Sequence, residues 1–424
     1  MKLRKWQNEC VNLAIKQYEA NKKHFLCLAT PGSGKTIMAA EVAAQLLEKD
    51  KIDFILCFSP SITVSQNITY TFSKRLGTRF DGVIGAAGCS YTYQNMLFFK
   101  EDFWQLLSNN RVMVIFDEIH HCAGSSILNA NAWGEEVLRN IQDQASYTLS
   151  LTGTPWRSDR MPITLANYAE NKFIECNYTY GLKDAVNDGV CRSPKLVLID
   201  NERLTITRDD KEQKTFSSFK SLLNESLVSY QSVITNTDVM RHILNQGCNK
   251  LTEIRKTNKN AAGLIVASSV QHAKTLLDLL QVHFNQTAVL VTYKQAQASN
   301  IINEFKYSQI QWVVSVGMVS EGTDIPRLQV CCHLSRIKTE LYFRQVLGRI
   351  LRVTQERNQE AWLFTFAEPT LIEFAHRIEL DLPNHDVVIN DELTTEHNSI
   401  EEVLYESIDE FIGINSKSDE IPKI

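Results

Sequence analysis

A glycine-rich stretch early in the chain has the residue types and spacing of a phosphate-binding loop. It reads ATPGSGKT, residues 29–36, and lies between an apolar run that predicts a strand and a run that predicts a helix. In that context backbone N–H groups and the positive end of the helix dipole face phosphate oxygens. The usual pattern begins with glycine where this chain has Ala29. We predict a site for ATP and Mg²⁺, in which Lys35 adds a charge and Thr36 a metal ligand, formed by Pro31, Gly32, Ser33, Gly34, Lys35 and Thr36.

Two adjacent carboxylates supply the acidic partner that such a loop needs. Asp117 closes the apolar run VMVIFD and can hold Mg²⁺ through water, and Glu118 can orient or deprotonate an attacking water molecule. His120 lies two residues further on, where it can respond to the state of the nucleotide. An acidic pair at a strand end is common, so this prediction depends on its pairing with the glycine-rich loop.

A basic segment late in the chain could supply the positive charge that the predicted nucleotide site still needs for phosphoryl transfer. The segment FRQVLGRILR, residues 343–352, predicts a helix with one polar face, formed by Gln345, Gly348, Arg349 and Arg352 at intervals of three or four. We expect the two arginines to neutralise charge on a transferring phosphate. The alternative is a surface helix with solvated arginines, which leaves the glycine on that face unexplained.

Apolar runs separated by helical stretches predict the elements that position these residues. This alternation is typical of parallel sheets covered by helices, so we predict an α/β fold with two sheets in series. The runs predicted as strands are HFLCLA, FILCFS, RVMVIFD and YTLSLTG before residue 155, and AGLIVASS, TAVLVTY, QWVVSVG, VCCHLS and AWLFTFA after residue 260.

The bulk composition limits the class of protein. The chain has 424 residues and a formal net charge of −5, which argues against a nucleic-acid binder that depends on overall basicity. Its ten cysteines show no paired metal-ligand spacing, so we expect reduced, structural thiols and a cytoplasmic location. No apolar stretch reaches membrane-spanning length and no signal-type core follows the N-terminus, so we expect no membrane association.

The ordered motifs resemble those of superfamily 2 helicases and translocases of the DEAD/DEAH-box type. ATPGSGKT and DEIH resemble motifs I and II, and LRKWQ resembles the adenine-reading element, which implies that Gln7 contacts the base. LTGTP resembles motif III. That resemblance implies that Thr152 and Thr154, with His120, couple the nucleotide state to the grip on nucleic acid.

Two later motifs extend the resemblance over most of residues 1–367. SEGTDIP resembles motif V, which implies nucleotide or strand contacts for Gly322 and Asp324. QVLGRILR resembles motif VI, which implies that Arg349 and Arg352 act as arginine fingers. The resemblance therefore implies two RecA-like domains in tandem with ATP and Mg²⁺ between them.

Motif positions and composition divide the chain into five predicted segments. These are RecA-like domain 1 at 1–158, an interdomain linker and entry to domain 2 at 159–199, a mainly helical insertion at 200–258, RecA-like domain 2 at 259–384 and an acidic tail at 385–424. In the insertion, helical spacing predicts a packed face of Val239, Met240, Ile243, Leu244, Leu251 and Ile254. In the tail, SIEEVLYESIDEFIG predicts an amphipathic helix that packs on the body, docks a protein partner or restrains activity from the nucleic-acid channel.

Small polar residues after several predicted strands are candidates for contacts to nucleic acid. Members of the family hold the sugar-phosphate backbone with main-chain N–H groups and hydroxyls, so an acidic protein can still bind it. Helix capping by the same side chains is an equally good interpretation, and both can hold. The candidates, from resemblance to motifs Ia, Ib and IV and from the next strand end, are Ser61, Thr63, Gln66, Thr92, Tyr93, Gln94, Ser268, Ser269, Thr292 and Lys294.

The resemblance implies a nucleic-acid-dependent ATPase, as a monomer or in a partner-dependent complex. The stretch TGTPWRSDR and the motif spacing look closer to restriction-system translocases and phage or repair helicases than to RNA-remodelling members, so DNA is favoured over RNA. Three activities stay open: a helicase, a duplex translocase that never separates strands, and an ATP-gated clamp that serves a partner nuclease or a repair or defence complex.

Overall fold

The structure is a computed structural model that describes residues 2–155, 157, 159, 161–170, 173–200, 204–207, 213–225, 228–295, 297–317, 325–355, 360–381, 387–390 and 399–401. Within these residues the chain forms two parallel sheets in series, each with helices packed on it. The same residues include no helix that is both long enough and apolar enough to cross a membrane.

The first domain is built on the first sheet. All four apolar runs predicted there as strands are strands, which confirms the local pattern. Its elements are α1 (Lys5–Glu19), β1 (His24–Ala29), α2 (Lys35–Glu48), β2 (Phe54–Ser59), α3 (Ile62–Leu76), β3 (Gly88–Thr92), α4 (Tyr93–Met96), α5 (Glu101–Asn109), β4 (Val112–Asp117), α6 (Ala132–Glu136), β5 (Tyr147–Thr152), β6 (Asn167–Tyr168), β7 (Ile174–Glu175) and β8 (Tyr178–Tyr180).

The second domain is built on the second sheet, and all five runs predicted there are strands. Its elements are α7 (Leu182–Asn187), β9 (Ser193–Ile199), β10 (Leu204–Thr207), β11 (Gln213–Phe216), α8 (Phe219–Glu225), α9 (Tyr230–Thr235), α10 (Thr237–Arg255), β12 (Ala262–Ala267), α11 (Val270–Asp278), β13 (Ala288–Thr292), α12 (Ala298–Tyr307), β14 (Trp312–Val316), β15 (Leu328–Leu334), α13 (Glu340–Ile350), β16 (Glu360–Phe366), α14 (Pro369–Leu380), β17 (Val387–Asn390) and β18 (Ser399–Glu401).

The first sheet brings the predicted catalytic residues to one edge. Its strand order is β3-β2-β4-β5-β1-β8, with every pairing parallel. Strands β4, β5 and β1 are therefore neighbours whose carboxyl ends meet. The glycine-rich loop follows β1, Asp117 ends β4 and Thr152 ends β5, so three separate motifs lie side by side.

The second sheet has the order β13-β14-β12-β15-β16-β9-β17, again with parallel pairings. Strand β9, the first after the crossover from domain 1, lies near the far edge between β16 and β17. Helix α10 packs on β12, β15 and β16, and all six residues predicted as its packed face are buried. The five segment boundaries predicted from the sequence stay predictions.

The tail differs from its prediction in the part that the structure describes. Residues 399–401 form β18, which pairs in parallel with β10. The helix predicted to begin at residue 399 therefore does not begin there, because these residues are extended. Residues 402–424 lie outside the described residues.

Candidate nucleotide site between the two domains

The loop between β1 and α2 has the backbone shape of a phosphate cradle. Gly32 and Gly34 have φ values of 81° and 96°, in the left-handed region that favours glycine. Helix α2 begins at Lys35, so its first N–H groups point into the loop without partners in their own helix. The Ser33 hydroxyl is buried and has no hydrogen-bond partner among the described residues. A phosphate in this cradle would find donors already in place.

Residues at the start of helix α1 form hydrogen bonds to the main chain of the glycine-rich loop. Gln7 Nε2 donates to the Gly34 carbonyl at 2.9 Å, and the Arg4 backbone N–H donates to Gln7 Oε1 at 2.8 Å. Arg4 Nη1 also donates to the Ser33 carbonyl at 2.5 Å. The buried Gln7 thus positions the loop in this structure, while its contact with adenine stays a prediction.

The ammonium group of Lys35 is held at the end of the cradle. Its Nζ donates to the Ala29 carbonyl at 3.0 Å and lies 3.3 Å from Glu118 Oε1. The other oxygen of that carboxylate, Oε2, accepts the backbone N–H of Gly153 at 3.0 Å. One glutamate therefore ties the glycine-rich loop to the strand end after β5.

The two adjacent carboxylates have opposite pKa shifts. Burial raises the pKa of Asp117 to about 7, and the neighbouring Glu118 charge adds to the rise. Burial also acts to raise the pKa of Glu118, but the Lys35 ammonium and His120 outweigh it and lower the pKa to about 2. Glu118 is thus ionised and compensated, whereas the nearby Lys35 and His121 do not offset the burial of Asp117. A divalent cation there would favour its ionised form.

The residues predicted to couple nucleotide state to grip form one buried cluster. His120 Nδ1 lies 3.0 Å from Thr152 Oγ1, 3.4 Å from Thr154 Oγ1 and 3.4 Å from Glu118 Oε2. Thr152 Oγ1 also donates to the Thr154 carbonyl at 2.7 Å. Arg157, which the sequence pattern did not single out for this cluster, donates to the His120 carbonyl and pairs with Asp159. Motifs II and III therefore meet directly.

Tyr93 requires a correction, because its side chain is not available to a nucleic-acid strand. The ring is fully buried and stacks on Trp133 with centroids 5.7 Å apart. Its hydroxyl donates to the Asp117 carbonyl at 2.8 Å. Tyr93, which lies between Thr92 and Gln94, two predicted contacts to nucleic acid, thus points inward to the acidic motif.

The second domain reaches the cradle through α13 and the turn that follows it. A Cβ at position 348 would lie 2.8 Å from Pro31 Cβ, so Gly348 permits the close approach. A Cβ at position 32 would lie 3.2 Å from Arg352 Cγ. The spacing predicted that Arg352 shares a helical face with Gln345 and Arg349. This prediction is wrong, because the helix ends at Ile350 and Arg352 follows it by two residues.

Several cations converge beside the loop. Cys191, at the start of the second domain, forms a backbone bridge with Arg352, and its Sγ donates to the Pro31 carbonyl at 3.6 Å. Burial raises the pKa of the Cys191 thiol to about 11, against the opposing effect of the positive charges of Arg4, Arg352 and Lys35. Those three charges come from three separate elements, and an anion beside them would lower their mutual repulsion.

The remaining arginine of the basic segment has a different role. Arg344 Nε lies 2.9 Å from Glu340 Oε1, and Nη1 lies 2.7 Å from Asp381 Oδ2. Both acids lie in the second domain, so Arg344 ties α13 to the end of α14.

The nucleic-acid candidates lie at strand ends, as predicted, but their exposure differs. Ser61 and Ser269 cap α3 and α11 through their hydroxyls, and Thr92 bonds Asn95 at the start of α4. Thr63, Gln66, Gln94, Ser269 and Lys294 are exposed; Ser61 and Ser268 are half-buried; Thr92 and Thr292 are buried. Capping is thus confirmed for Ser61 and Ser269, and strand contacts stay predictions.

Two predicted site residues, Gly322 and Asp324, lie outside the described residues. The structure also places residues in the site that the sequence patterns did not single out. Arg4 stands within the quoted LRKWQ element, so that motif could have indicated it. Cys191 belongs to no motif, and no sequence signal identifies it.

The cradle and its surroundings fit a magnesium nucleotide. The glycine-rich loop, the buried Ser33 hydroxyl and the converging cations suit phosphates. Among the described residues, no group of three or more His, Cys, Asp or Glu side chains could hold a metal ion alone. Thr36 and Asp117 would therefore hold Mg²⁺ together with phosphate oxygens, as this ion is commonly bound.

Family comparisons agree with this geometry. The family model for the type III restriction enzyme res subunit matches residues 1–157, and the model for the helicase conserved C-terminal domain matches residues 246–354. In succession, the chain is thus similar to a restriction enzyme subunit and to the C-terminal domain of helicases, in line with its resemblance to superfamily 2. Its cradle, acidic pair and arginine segment lie within the two matched regions.

Curated relatives match most of this chain. An uncharacterised protein of Mycobacterium leprae (strain TN) is 29% identical over 89% of this chain and 64% of its own length. The DNA 3'-5' translocase XPB2 of Sulfurisphaera tokodaii is 22% identical over 86% of this chain and 81% of its own. The chain thus spans slightly less than two thirds of the mycobacterial relative.

Solved structures share the fold. A fragment assigned as an HsdR subunit of a type I restriction enzyme from Vibrio vulnificus YJ016 has a TM-score of 0.61 and 16% identity, over 94% of this chain and 68% of that one. Dbp5 of Saccharomyces cerevisiae bound to RNA has a TM-score of 0.52 and 12% identity, over 92% of this chain and 90% of that one. At these identities the likeness concerns the fold alone.

Proposed function

We propose that this protein is a superfamily 2 ATP-dependent motor that acts on DNA, by moving along it or by separating its strands. One observation carries the proposal: Arg352 of the second domain lies against Gly32 in the phosphate cradle of the first. A hydrolytic site assembled from two domains couples chemistry to their relative movement, because arginine and cradle approach or separate only when the domains do.

The side chains would divide the work of hydrolysis. The N–H groups of the cradle and Lys35 would bind phosphates, and Thr36 and Asp117 would hold Mg²⁺. Glu118, ionised and fixed by Lys35 and Gly153, would accept a hydrogen bond from the attacking water and orient it. When bound, Mg²⁺-ATP supplies the phosphoanhydride bond whose cleavage drives the cycle.

The second domain would supply the charge that lowers the barrier. Arg349 and Arg352 would neutralise negative charge on the transferring phosphoryl group. The buried His120 cluster connects Glu118 to Thr152 and Thr154, so it would carry the state of the cradle toward the strand-end loops. Loops of both domains would hold the strand, with Ser61 and Thr63 on one side and Ser269 and Lys294 on the other.

DNA is favoured over RNA by sequence relatives rather than by the fold. The family model over residues 1–157 is that of a restriction enzyme subunit, and one relative is named a DNA translocase. The fold alone does not discriminate, since a structural neighbour is bound to RNA.

The proposal is tested by ATP hydrolysis rates measured in parallel with single-stranded DNA, duplex DNA, forked DNA and RNA of equal length. We expect stimulation by at least one DNA substrate to exceed that by RNA, and Lys35→Ala to remove the stimulated rate. Equal or greater stimulation by RNA would refute the DNA assignment. No hydrolysis under any condition would refute the motor.

Two further assays separate the forms of motor. Strand displacement from a fork identifies a helicase, and displacement of a triplex-forming strand without fork opening identifies a duplex translocase. ATP-dependent DNA binding without either activity would favour the clamp.

A further inference from the structure

The crossover into the second sheet passes directly beside the phosphate cradle. Residues 188–192 connect α7 to β9. Cys191 contacts Pro31 through its thiol and pairs with Arg352 through its backbone, so the crossover contacts both the cradle and the proposed arginine finger. The next residue, Arg192, has no role in the site described so far.

Arg192 is a fully buried cation that holds main-chain groups together. Its Nη1 donates to the Leu328 carbonyl at 2.6 Å and to the Ile350 carbonyl at 3.2 Å. Its backbone N–H donates to the Leu351 carbonyl at 2.7 Å, and Nη2 lies 3.5 Å from Thr354 Oγ1. Burial lowers the pKa of its guanidinium to about 9, so the group stays charged at neutral pH.

These contacts lie at the end of α13, where the direction of the chain decides the position of Arg352. The last carbonyls of a helix have no partner within it, and a cation near them is stabilising. Arg192 satisfies two successive carbonyls, those of Ile350 and Leu351, and Arg352 follows at once. The turn that presents Arg352 to Gly32 is therefore pinned to β15 by one guanidinium.

We propose that Arg192 is a positioning residue for hydrolysis, which acts by fixing the turn after α13 so that Arg352 stays against the cradle. The inference rests on the proposed function, since it assigns Arg192 a role through the arginine finger. Lysine keeps the charge but lacks the planar fork that reaches several acceptors at once, so Arg192→Lys loosens the turn without removing the cation.

The first measurement is the steady-state hydrolysis of ATP by Arg192→Lys with saturating nucleic acid. We expect kcat to fall about tenfold, the effect of a lost charge-assisted hydrogen bond, while the KM for ATP stays within about threefold because the cradle belongs to the other domain. A drop in folded fraction would lower the apparent enzyme concentration, so kcat is normalised to folded protein measured by circular dichroism.

A double-mutant comparison separates this role from a general structural one. If Arg192 acts through Arg352, kcat of Arg192→Lys combined with Arg352→Ala stays within about twofold of Arg352→Ala alone. Independent effects would multiply and give a further tenfold loss or so. Multiplied losses would overturn the proposal.

Arg327 provides a matched control in the same domain. It is also buried, and its guanidinium donates to the carbonyls of Asn260, Phe305 and Ile310 at 2.9, 2.9 and 2.6 Å. None of these acceptors lies on α13 or in the cradle. We expect Arg327→Lys to lower the melting temperature about as much as Arg192→Lys but to keep kcat within about twofold. An equal loss of kcat in both variants would overturn the proposal.

Cys191→Ala provides a second route should Arg192→Lys fail to fold. It removes the thiol contact of the same crossover with Pro31, and we expect a loss of kcat of about threefold that disappears in the Arg352→Ala background. An unchanged kcat would overturn the proposal. Wild-type protein that hydrolyses no ATP would instead refute the proposed function itself, so the two failures are distinguishable.

Discussion

The nucleotide side of the molecule and its predicted nucleic-acid face differ in how their polar side chains are held. Around the cradle, Lys35, Glu118 and His120 are linked in one network, in which each has a partner within 3.4 Å. On the predicted face, Ser61 only caps a helix, and Thr63 is exposed. In the proposed function, hydrolysis therefore depends on individual side chains, whereas the binding of nucleic acid depends on many small contacts. Substitutions should therefore have large effects on one side and small effects on the other.

The largest effect is expected at Arg352, where the two domains meet. Arg352→Ala should lower nucleic-acid-stimulated kcat about 10³-fold, the effect expected of its proposed role as an arginine finger, with little change in the KM for ATP. Arg344→Ala on α13, the helix that precedes Arg352, is the control, because Arg344 pairs with Glu340 and Asp381 instead. Steady-state hydrolysis of both variants measures the contrast. Similar losses in the two would show that the helix, and not the contact with Gly32, matters.

A somewhat smaller loss is expected at Glu118. Glu118→Gln keeps an oxygen that can accept the Gly153 N–H but cannot carry the negative charge that orients water, so single-turnover hydrolysis should fall about 10²-fold. Binding of ATP should persist, and the nucleic-acid complex formed with ATP should last longer. The surface variant Glu135→Gln, which loses only a pair with Arg139, should behave as wild type. Loss of ATP binding in Glu118→Gln would contradict the assigned role.

An intermediate effect is expected where the two regions connect, at Tyr93. Tyr93→Phe removes the hydrogen bond to the Asp117 carbonyl but keeps the ring on Trp133. We expect stimulation by nucleic acid to fall roughly threefold to tenfold, in line with one lost buried hydrogen bond, while the basal rate changes little. Tyr91→Phe is the control, since that ring packs on Phe99 and Phe103. Equal stimulation of hydrolysis by nucleic acid in Tyr93→Phe and wild type would show that the Tyr93 hydrogen bond does not connect the two regions.

The smallest effects are expected on the predicted face. Ser61→Ala should lower the free energy of unfolding by about 1 kcal/mol, because its hydroxyl caps α3, and should weaken DNA binding slightly. Thr63→Ala should weaken DNA binding about twofold to fivefold and leave stability unchanged, because Thr63 is exposed. Urea unfolding and equilibrium DNA binding measure the two effects separately. An unchanged affinity for DNA in both variants would contradict the prediction that DNA binds at this face.

Features with a local signature could be predicted from the sequence. The nine predicted strands are confirmed, as are the positions of the glycine-rich loop after β1 and of the acidic pair at the end of β4. Each of these features is determined by a short run of consecutive residues. The buried face of α10 is confirmed for the same reason. Among the strands of the two parallel sheets, the pattern missed β3, β8, β9 and β17, whose runs GCSYT, YTY, SPKLVLI and VVIN are short or do not begin with an apolar residue.

Features that depend on long-range contacts could not be predicted. Helical spacing placed Arg352 on α13, but the helix ends earlier, at Ile350. There the guanidinium of Arg192, from a distant part of the chain, donates to the Ile350 carbonyl. Tyr93 stood in a motif that suggests surface contact, yet its ring is buried against Trp133. In both cases the decisive partner is far away in sequence, and no local pattern contains it.

The position of the crossover at residues 188–192 also has a mechanical consequence. A rotation of one domain about a pivot at this crossover would sweep an arc whose length grows with distance from the pivot. Pro31 and Arg352 lie almost on the pivot and would travel little, whereas loops further out would travel more. In the proposed motor, a small displacement at the phosphate cradle would thus accompany a larger displacement of the loops proposed to hold nucleic acid.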